Sequence, residues 1–510
     1  MENLNQSSIL NNNTNDNDNL SEASTVLDEP ELDEQVLDEQ LDINIEINDN
    51  IEITSVKSSK SSNSDKIDMS NVIVTYPSGI VGLHNLIGSK KKNGIYNYTC
   101  YINTILQCLF NTPYLVNNIR NNSVIDKLHK NIIKSEDKNN ISAVFSKIHN
   151  TITYRLYKLM NVVWTNNTKN IRPITFVDTL LNKLNSFRGV DINRDDQHDS
   201  IEVLQYILEN IDMEINDLAE ITHKYYDTSY DDIFRKIENE NLTEVQCHNL
   251  SKEYPNVWEL YCVKKSLDYH NKNFSFIKEI FQEFVSYTLE CPVCNYCTHK
   301  IEPHFILNVS IPDDITTDIE QLVETELSRY PNISEEHFDK IKKYLTEKHK
   351  KNSKYTLDQC LAHTTKTEIL DDTDKWFCSN CNDKVNGIKK ISLWVPSKIL
   401  IIQIVRHINI YDKRVNGYVQ QKISNLVEFP FELNINSYMS EYSSNRGNYT
   451  YDLYAVSNQI GSYGSGHHFS YVKSLDNGNW YSLNDDNISP INQSDIVTAN
   501  AYILFYSIRE

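Results

Sequence analysis

Two short cysteine pairs, Cys291-Pro-Val-Cys294 and Cys378-Ser-Asn-Cys381, are separated by 84 positions counted from Cys294 to Cys378. Each has the Cys-x-x-Cys spacing of a metal knuckle and ends a strand-like segment, Phe281 to Glu290 and Trp376-Phe377 respectively. Four thiolates from two knuckles suit a tetrahedral structural Zn²⁺, with no coordination position left open for chemistry. If they share one ion, the long chain between them must return to its starting point. That linker is far too long for a compact zinc finger. Cys297 and His299 are alternative ligands, but the pairwise spacing favours Cys291, Cys294, Cys378 and Cys381. Ten cysteines in 510 residues do not suggest a disulfide scaffold. The start, Met1-Glu-Asn-Leu-Asn, lacks the basic and apolar regions of a signal peptide. No stretch approaches the length of a membrane span. A soluble, intracellular, reduced protein is expected, cytoplasmic or nuclear.

The formal charge is −21, from 70 acidic and 49 basic residues. That sign opposes retention on nucleic acid by phosphate neutralisation, a DNA-reading zinc ribbon included, and opposes a polybasic membrane anchor. Residues 1–70 hold 17 acidic and 3 basic side chains, so 3 − 17 = −14 lies there and −7 in the rest. This segment repeats Leu27-Asp-Glu, Leu32-Asp-Glu and Leu37-Asp-Glu, which fits neither helix nor strand period, and is expected to be disordered. From Tyr76 the texture becomes globular. Residues 100–270 have apolar positions three and four apart; 284–310 and 390–510 are rich in β-branched and aromatic residues. Between them Asp318 to Lys351 reads as a charged helical insertion. Helices first and strands later indicate an α+β domain.

Asn97-Tyr-Thr-Cys100-Tyr-Ile-Asn103-Thr-Ile-Leu-Gln107-Cys-Leu-Phe110 places apolar residues at 102, 105, 106, 109 and 110, one buried helical stripe. Cys100 falls in its first turn, with Thr99 or Asn97 as N-cap. The positive end of the helix dipole favours a thiolate there, and a first-turn N–H is a suitable oxyanion donor. Cys108, further along, reads as an inert core thiol. Glycine is scarce, 12 in 510, yet Gly461, Gly464 and Gly466 fall within six residues, immediately before His467-His468. A hairpin turning near Asn477-Gly478 brings His467 towards Asn484 or the residues after it, depending on register. A His with an amide or carboxylate on Nδ1 is the base that a cysteine nucleophile needs.

Thr99-Cys100-Tyr101-x-Asn103-x-x-Leu106-Gln107 resembles the Cys box of the ubiquitin-specific proteases. Gly466-His467-x-x-Ser470-Tyr471-Val472-Lys473 with Trp480-Tyr481-x-Leu483-Asn484-Asp485 is similar to their His box, and Ala501-Tyr-Ile-Leu-Phe-Tyr506 to their terminal strand. Gln197-His-Asp199-Ser-Ile-Glu202 resembles the family's Gln-Gln-Asp segment, and Pro396 to Arg406 its central strand. The matches are collinear from 82 to 506.

The resemblance implies a papain-like cysteine protease fold in a catalytic domain over 76–510. Its helical thumb covers about 82–270, its zinc-ribbon fingers about 280–390 with the helical insertion 318–351, and its β-rich palm about 390–510. It implies Cys100 as nucleophile, His467 as base and Asn484 in the third slot, where many relatives have Asp. Asn484 supplies no charge, so Asp485 shares or takes that role, and His468, where the family has an aromatic, packs. The first Asn of the family's Cys box donates to the oxyanion. In this chain Gly82-Leu-His-Asn85-Leu86 looks like that start, separated from Cys100 by the insertion Ser89 to Tyr96; Asn97 is the other candidate. Asp199, Glu202 and Gln107 serve structure or channel hydrogen bonding. The function implied is a monomeric, thiol-dependent deubiquitinase, acting on ubiquitin conjugated to proteins and hydrolysing the bond after ubiquitin's C-terminal Gly. The altered Cys box motivates a rival, an inactive ubiquitin-binding scaffold; a protease for another ubiquitin-like modifier is a second.

Overall fold

The structure, a computed structural model, describes residues 76–509 apart from 87–89, 92–93, 96–97, 136–140, 166–168, 189–197, 217–227, 271–273, 313–322, 329–334, 413–415, 441–442, 444–446 and 462–465. The acidic segment 1–70, Asn97, Gln197 and Gly464 lie outside the described residues. Lys90–Lys91 pairs antiparallel with Gly94–Ile95, so the insertion ahead of Cys100 contains a small hairpin. The charged insertion contains helix at 323–327 and at Glu335–Asn352. Among the described residues no helix is long and apolar enough to cross a membrane.

Helix α1, Cys100–Phe110, is buried on every side rather than along one stripe. Helix α2, Ser200–Ile215, packs on one flank and the C-terminal sheet on the other. The polar residues of α1 are therefore buried too, and each needs a partner. Two of them and the C-cap Asn111, spaced four positions apart, supply amides to alternate carbonyls of the segment 79–83. Asn103 Nδ2 donates to Leu83 O (3.1 Å), Gln107 Nε2 to Val81 O (2.6 Å) and Asn111 Nδ2 to Gly79 O (2.9 Å). Four helical residues rise about 6 Å and two extended residues about 6.6 Å, so the two repeats stay in phase. The strand Gly82–Leu83 pairs in parallel with Asn170–Ile171.

Strands β1 (Glu283–Glu290), β2 (Cys297–His304), β4 (Glu368–Ile369) and β5 (Ile388–Val395) form one sheet in the order β2-β1-β5-β4. Its β2 edge is covered by helix α3, Val257–His270, from which Trp258 Nε1 donates to Cys297 O and Ser266 Oγ to Ile301 O. The C-terminal sheet contains β3 (Leu307–Ser310), β6 (Ile399–Val405), β7 (Thr450–Ile460), β8 (His467–Lys473), β9 (Trp480–Asn484), β10 (Asn487–Pro490) and β11 (Ala501–Ile508). Its order is β10-β9-β8-β7-β11-β6-β3, antiparallel except for β6 with β3. Thus the segment 307–310 crosses from the cysteine-rich region into the C-terminal sheet. The central strand β11 is buried on both faces: Ile503 and Phe505 enter the core shared with α1, and Leu504 and Tyr506 the core on the opposite face.

Candidate active site

Cys100 is the first residue of α1 and is buried. The Thr99 hydroxyl does not cap the helix. It accepts from Leu86 N–H (3.0 Å) and donates to Asn85 Oδ1 (3.2 Å), which also accepts from Thr99 N–H (2.9 Å). Asn85 is thereby fixed against the residue preceding Cys100, although 14 positions separate Asn85 from Thr99.

His467 opens β8, and its side chain hydrogen-bonds with that of Cys100. The expected orientation of its ring is corrected: Nε2, not Nδ1, faces Asn484 Oδ1, at 2.6 Å, which leaves Nδ1 for the thiol. A neutral amide oxygen thus fixes the tautomer and ring plane. The Cys100 contact, then Asn484 and the more distant Asp485 charge, raise the imidazole to about 9 against the lowering effect of burial. At neutral pH His467 therefore carries a proton.

Asn484 and Asp485 part company at a tight turn. Asn484 pairs with Asn487, leaving Asp485 and Asp486 as the two turn residues, with Asp485 at φ +52°. Asp485 hydrogen-bonds other partners through its carboxylate and acts on His467 through its charge. Its Oδ1 accepts from Asn103 Nδ2 (2.8 Å), its Oδ2 from Asn85 Nδ2 (3.1 Å) and its backbone O from Leu83 N–H (2.9 Å). Burial raises its pKa, opposed by Asn103, the His467 charge and Asn85. Orientation of the imidazole and supply of negative charge are thus assigned to different neighbours. Asn103 was missed as a site residue in the sequence; its signal was a polar residue recurring every four positions in an apolar helix.

The remaining candidates have structural placements. Asp199 caps α2, accepting from Ile201 N–H (3.1 Å) through Oδ1 and from the Tyr502 hydroxyl (2.6 Å) through Oδ2. Glu202 is exposed in the same first turn. His468 is buried, and desolvation pushes it down to about 3, so it is neutral. Burial raises the Cys108 thiol, as an inert core position requires.

Some way along the chain, Cys291, Cys294, Cys378 and Cys381 converge, all four sulfurs within 4.8 Å of one another. Cys291 and Cys381 are 3.8 Å apart and Cys294 and Cys378 3.7 Å. A tetrahedron with metal–sulfur bonds of about 2.3 Å has edges of about 3.8 Å, so the donor set fits zinc. Both knuckles have the same backbone: Asn295 N–H bonds Cys291 O (2.9 Å), Asn382 N–H bonds Cys378 O (2.8 Å), and both asparagines are left-handed, at φ +57° and +55°. Asparagine supplies there the turn that glycine usually does. Cys297 and His299 stand outside the cluster, bonded to Asn295 O and Thr288 Oγ1 respectively.

The family model described as ubiquitin carboxyl-terminal hydrolase matches residues 93–506. The chain belongs to that family. As a ubiquitin carboxyl-terminal hydrolase family member it is 24% identical over 432 residues to human ubiquitin carboxyl-terminal hydrolase 2, covering 84% of this chain and 55% of that protein. It is 35% identical over 188 residues to ubiquitin carboxyl-terminal hydrolase 4 of Pongo abelii, covering 37% and 19% respectively. The chain thus spans about half the length of the first of these relatives, and less of the second. Its fold is similar to that of a chain in the SAGA Ubp8 DUB module bound to ubiquitin aldehyde, with a TM-score of 0.51 and 20% identity, over 86% of this chain and 72% of that one. The papain-like architecture expected from the sequence is this fold. The family match begins at residue 93, so the Asn85 clasp lies ahead of it.

Proposed function

We propose that this protein is a thiol-dependent deubiquitinase cleaving the isopeptide bond after the C-terminal glycine of ubiquitin. The observation that carries the reading is the contact of Cys100 and Asn484 with His467, inside a chain of the ubiquitin carboxyl-terminal hydrolase family. The Cys100 sulfur attacks the glycine carbonyl carbon, and the π-electrons move onto oxygen. The Cys100 N–H and Asn85 Nδ2, which has a second hydrogen besides the one given to Asp485, are the donors for that oxyanion. As the C–N bond breaks, His467 gives its proton to the departing lysine amine, leaving a thioester. Water, deprotonated by His467, then attacks the thioester; ubiquitin leaves as a carboxylate and Cys100 is regenerated.

Cys291, Cys294, Cys378 and Cys381 would hold Zn²⁺ in a structural role: with four sulfur donors no position would be left open for chemistry. Both the nucleophile and these sulfurs must stay reduced, which supports the reading of an intracellular protein. Incubation with ubiquitin carrying a C-terminal electrophile tests the reading. An adduct on Cys100, absent in Cys100→Ala, is expected. Ubiquitin binding without an adduct would instead favour the inactive scaffold, and labelling only by a different modifier would move the substrate to another ubiquitin-like protein.

A further inference from the structure

The ladder between β7 and β11 ends at Asn458 with Ala501, two residues before Ile460, and the last backbone bond on that side is from Gln459 N–H to Asn500 O (2.8 Å). Beyond that point β7 continues as Gln459, Ile460 and Gly461. Ile460 lies directly across from His467 on β8, and Gln459 across from His468. A strand that runs past its neighbour leaves backbone carbonyls needing partners. Here the Lys422 ammonium supplies them, donating to Gln459 O (2.8 Å) and Gly461 O (3.1 Å), the two carbonyls flanking Ile460.

Lys422 is itself firmly held. It closes the hairpin formed by His407–Asp412 and Gly417–Lys422, paired with His407. Its neighbour Ile423 donates its N–H to Arg406 O (2.7 Å), while the fully buried Arg406 gives Nη1 to Ile423 O (3.1 Å) and Asn425 O (2.8 Å), and Nε to Ala501 O (2.7 Å). The start of β11, the end of the hairpin and the end of β7 are thus joined through two cations.

We propose that Lys422 is a positioning residue for His467: its ammonium supplies, to the carbonyls of Gln459 and Gly461, the donors that no neighbouring strand provides, and so keeps Ile460 in register opposite the base. The inference rests on the proposed Cys100–His467 chemistry, but only part of its test needs ubiquitin. The groups facing His467 are Cys100, Asn484 and Asp485; those facing Lys422 are Arg406, His407 and His468.

The experiment compares full-length wild type with Lys422→Met, Lys422→Gln and Lys422→Arg. Iodoacetamide alkylation of Cys100 is followed against pH by mass spectrometry of its peptide, and kcat and KM are measured on a fluorogenic ubiquitin C-terminal amide. In Lys422→Met, alkylation of Cys100 at neutral pH and kcat should fall about 10- to 100-fold, the scale of a small displacement of a reacting group. KM should change little. Lys422→Arg, still able to reach two carbonyls, should restore both; Lys422→Gln, with donors but no charge, should lie between and replaces the Met variant if that one does not fold. A lowered melting temperature with an unchanged alkylation profile and kcat would overturn the proposal, leaving a purely structural role. Wild type that ignores the ubiquitin amide, with an alkylation profile still dependent on Lys422, would instead sink the substrate assignment alone.

Discussion

Asp485→Asn tests the division of labour around His467. The left-handed backbone at 485 suits asparagine, so the turn should survive. The amide oxygen can still accept from Asn103, now at 2.8 Å, but its NH₂ then faces Asn85 Nδ2, currently 3.1 Å from the carboxylate. Two donors face each other and the Asn85 clasp opens. A hydrogen bond to a charged acceptor is worth about 1.5–3 kcal/mol. Relief of a desolvated carboxylate offsets part of that, so stability should drop by about 1–2 kcal/mol. Catalysis should suffer more. Displacing one oxyanion donor costs about 2.7–4 kcal/mol of transition-state stabilisation, and the imidazolium also loses its nearby negative charge. Together kcat/KM should fall at least about 100-fold. The assay is hydrolysis of a ubiquitin C-terminal amide, with urea unfolding of the same preparations. A variant within about fivefold of wild type in kcat/KM would refute the argument, because neither Asn85 nor the charge could then matter.

His467 should titrate near 9 by ¹H–¹⁵N NMR, and Cys100→Ala should lower that value because the largest raising contact is removed while burial remains. Since the folded pKa is raised, the contribution of this histidine to stability is complete below about 6.5 and is lost as pH rises through about 9; the alkaline limb of kcat/KM should fall over the same window. One zinc per chain is expected by metal analysis, lost with thermal stability in Cys291→Ser or Cys378→Ser and retained in Cys297→Ser, whose thiol stands outside the cluster. Arg406→Met orphans carbonyls of Ala501, Ile423 and Asn425 and should cost at least about 3 kcal/mol in urea unfolding, at about 1–3 kcal/mol per unpaired buried group.

Much of the site was readable because its chemistry lies in short contiguous runs. The Cys100 helix announced itself by period, the His467 strand by its glycines and alternation, and the metal ligands by two equal spacings. What escaped was settled by long-range geometry. Which imidazole nitrogen meets Asn484 depends on how β8 enters the sheet, a direction no spacing records. That Asn484 bonds His467 while Asp485 bonds Asn103 and Asn85 depends on one left-handed residue in a two-residue turn. Asn85 needed the inserted hairpin to fold back before it could reach Thr99. The apolar stripe of α1 was real, but its polar face is equally buried, because helix and segment 79–83 happen to share a repeat. Lys422 carried no signal at all: a lysine ending a strand acquires its task only where another strand stops short.

The position of β11 bears on how the protein comes into being. Residues 501–508 occupy the middle of the C-terminal sheet, with β7 on one side and β6 on the other. During synthesis both neighbours emerge first, each with an open edge awaiting a strand not yet made. Until it arrives β7 is paired on one side only, with 432–434 and with the strand bearing His467. A chain emerging from the ribosome therefore holds Cys100 long before the strand bearing His467 is seated, and the two cannot be brought together until β11 has been made. The cost of that delay is a period in which two long apolar edges depend on chaperones for cover.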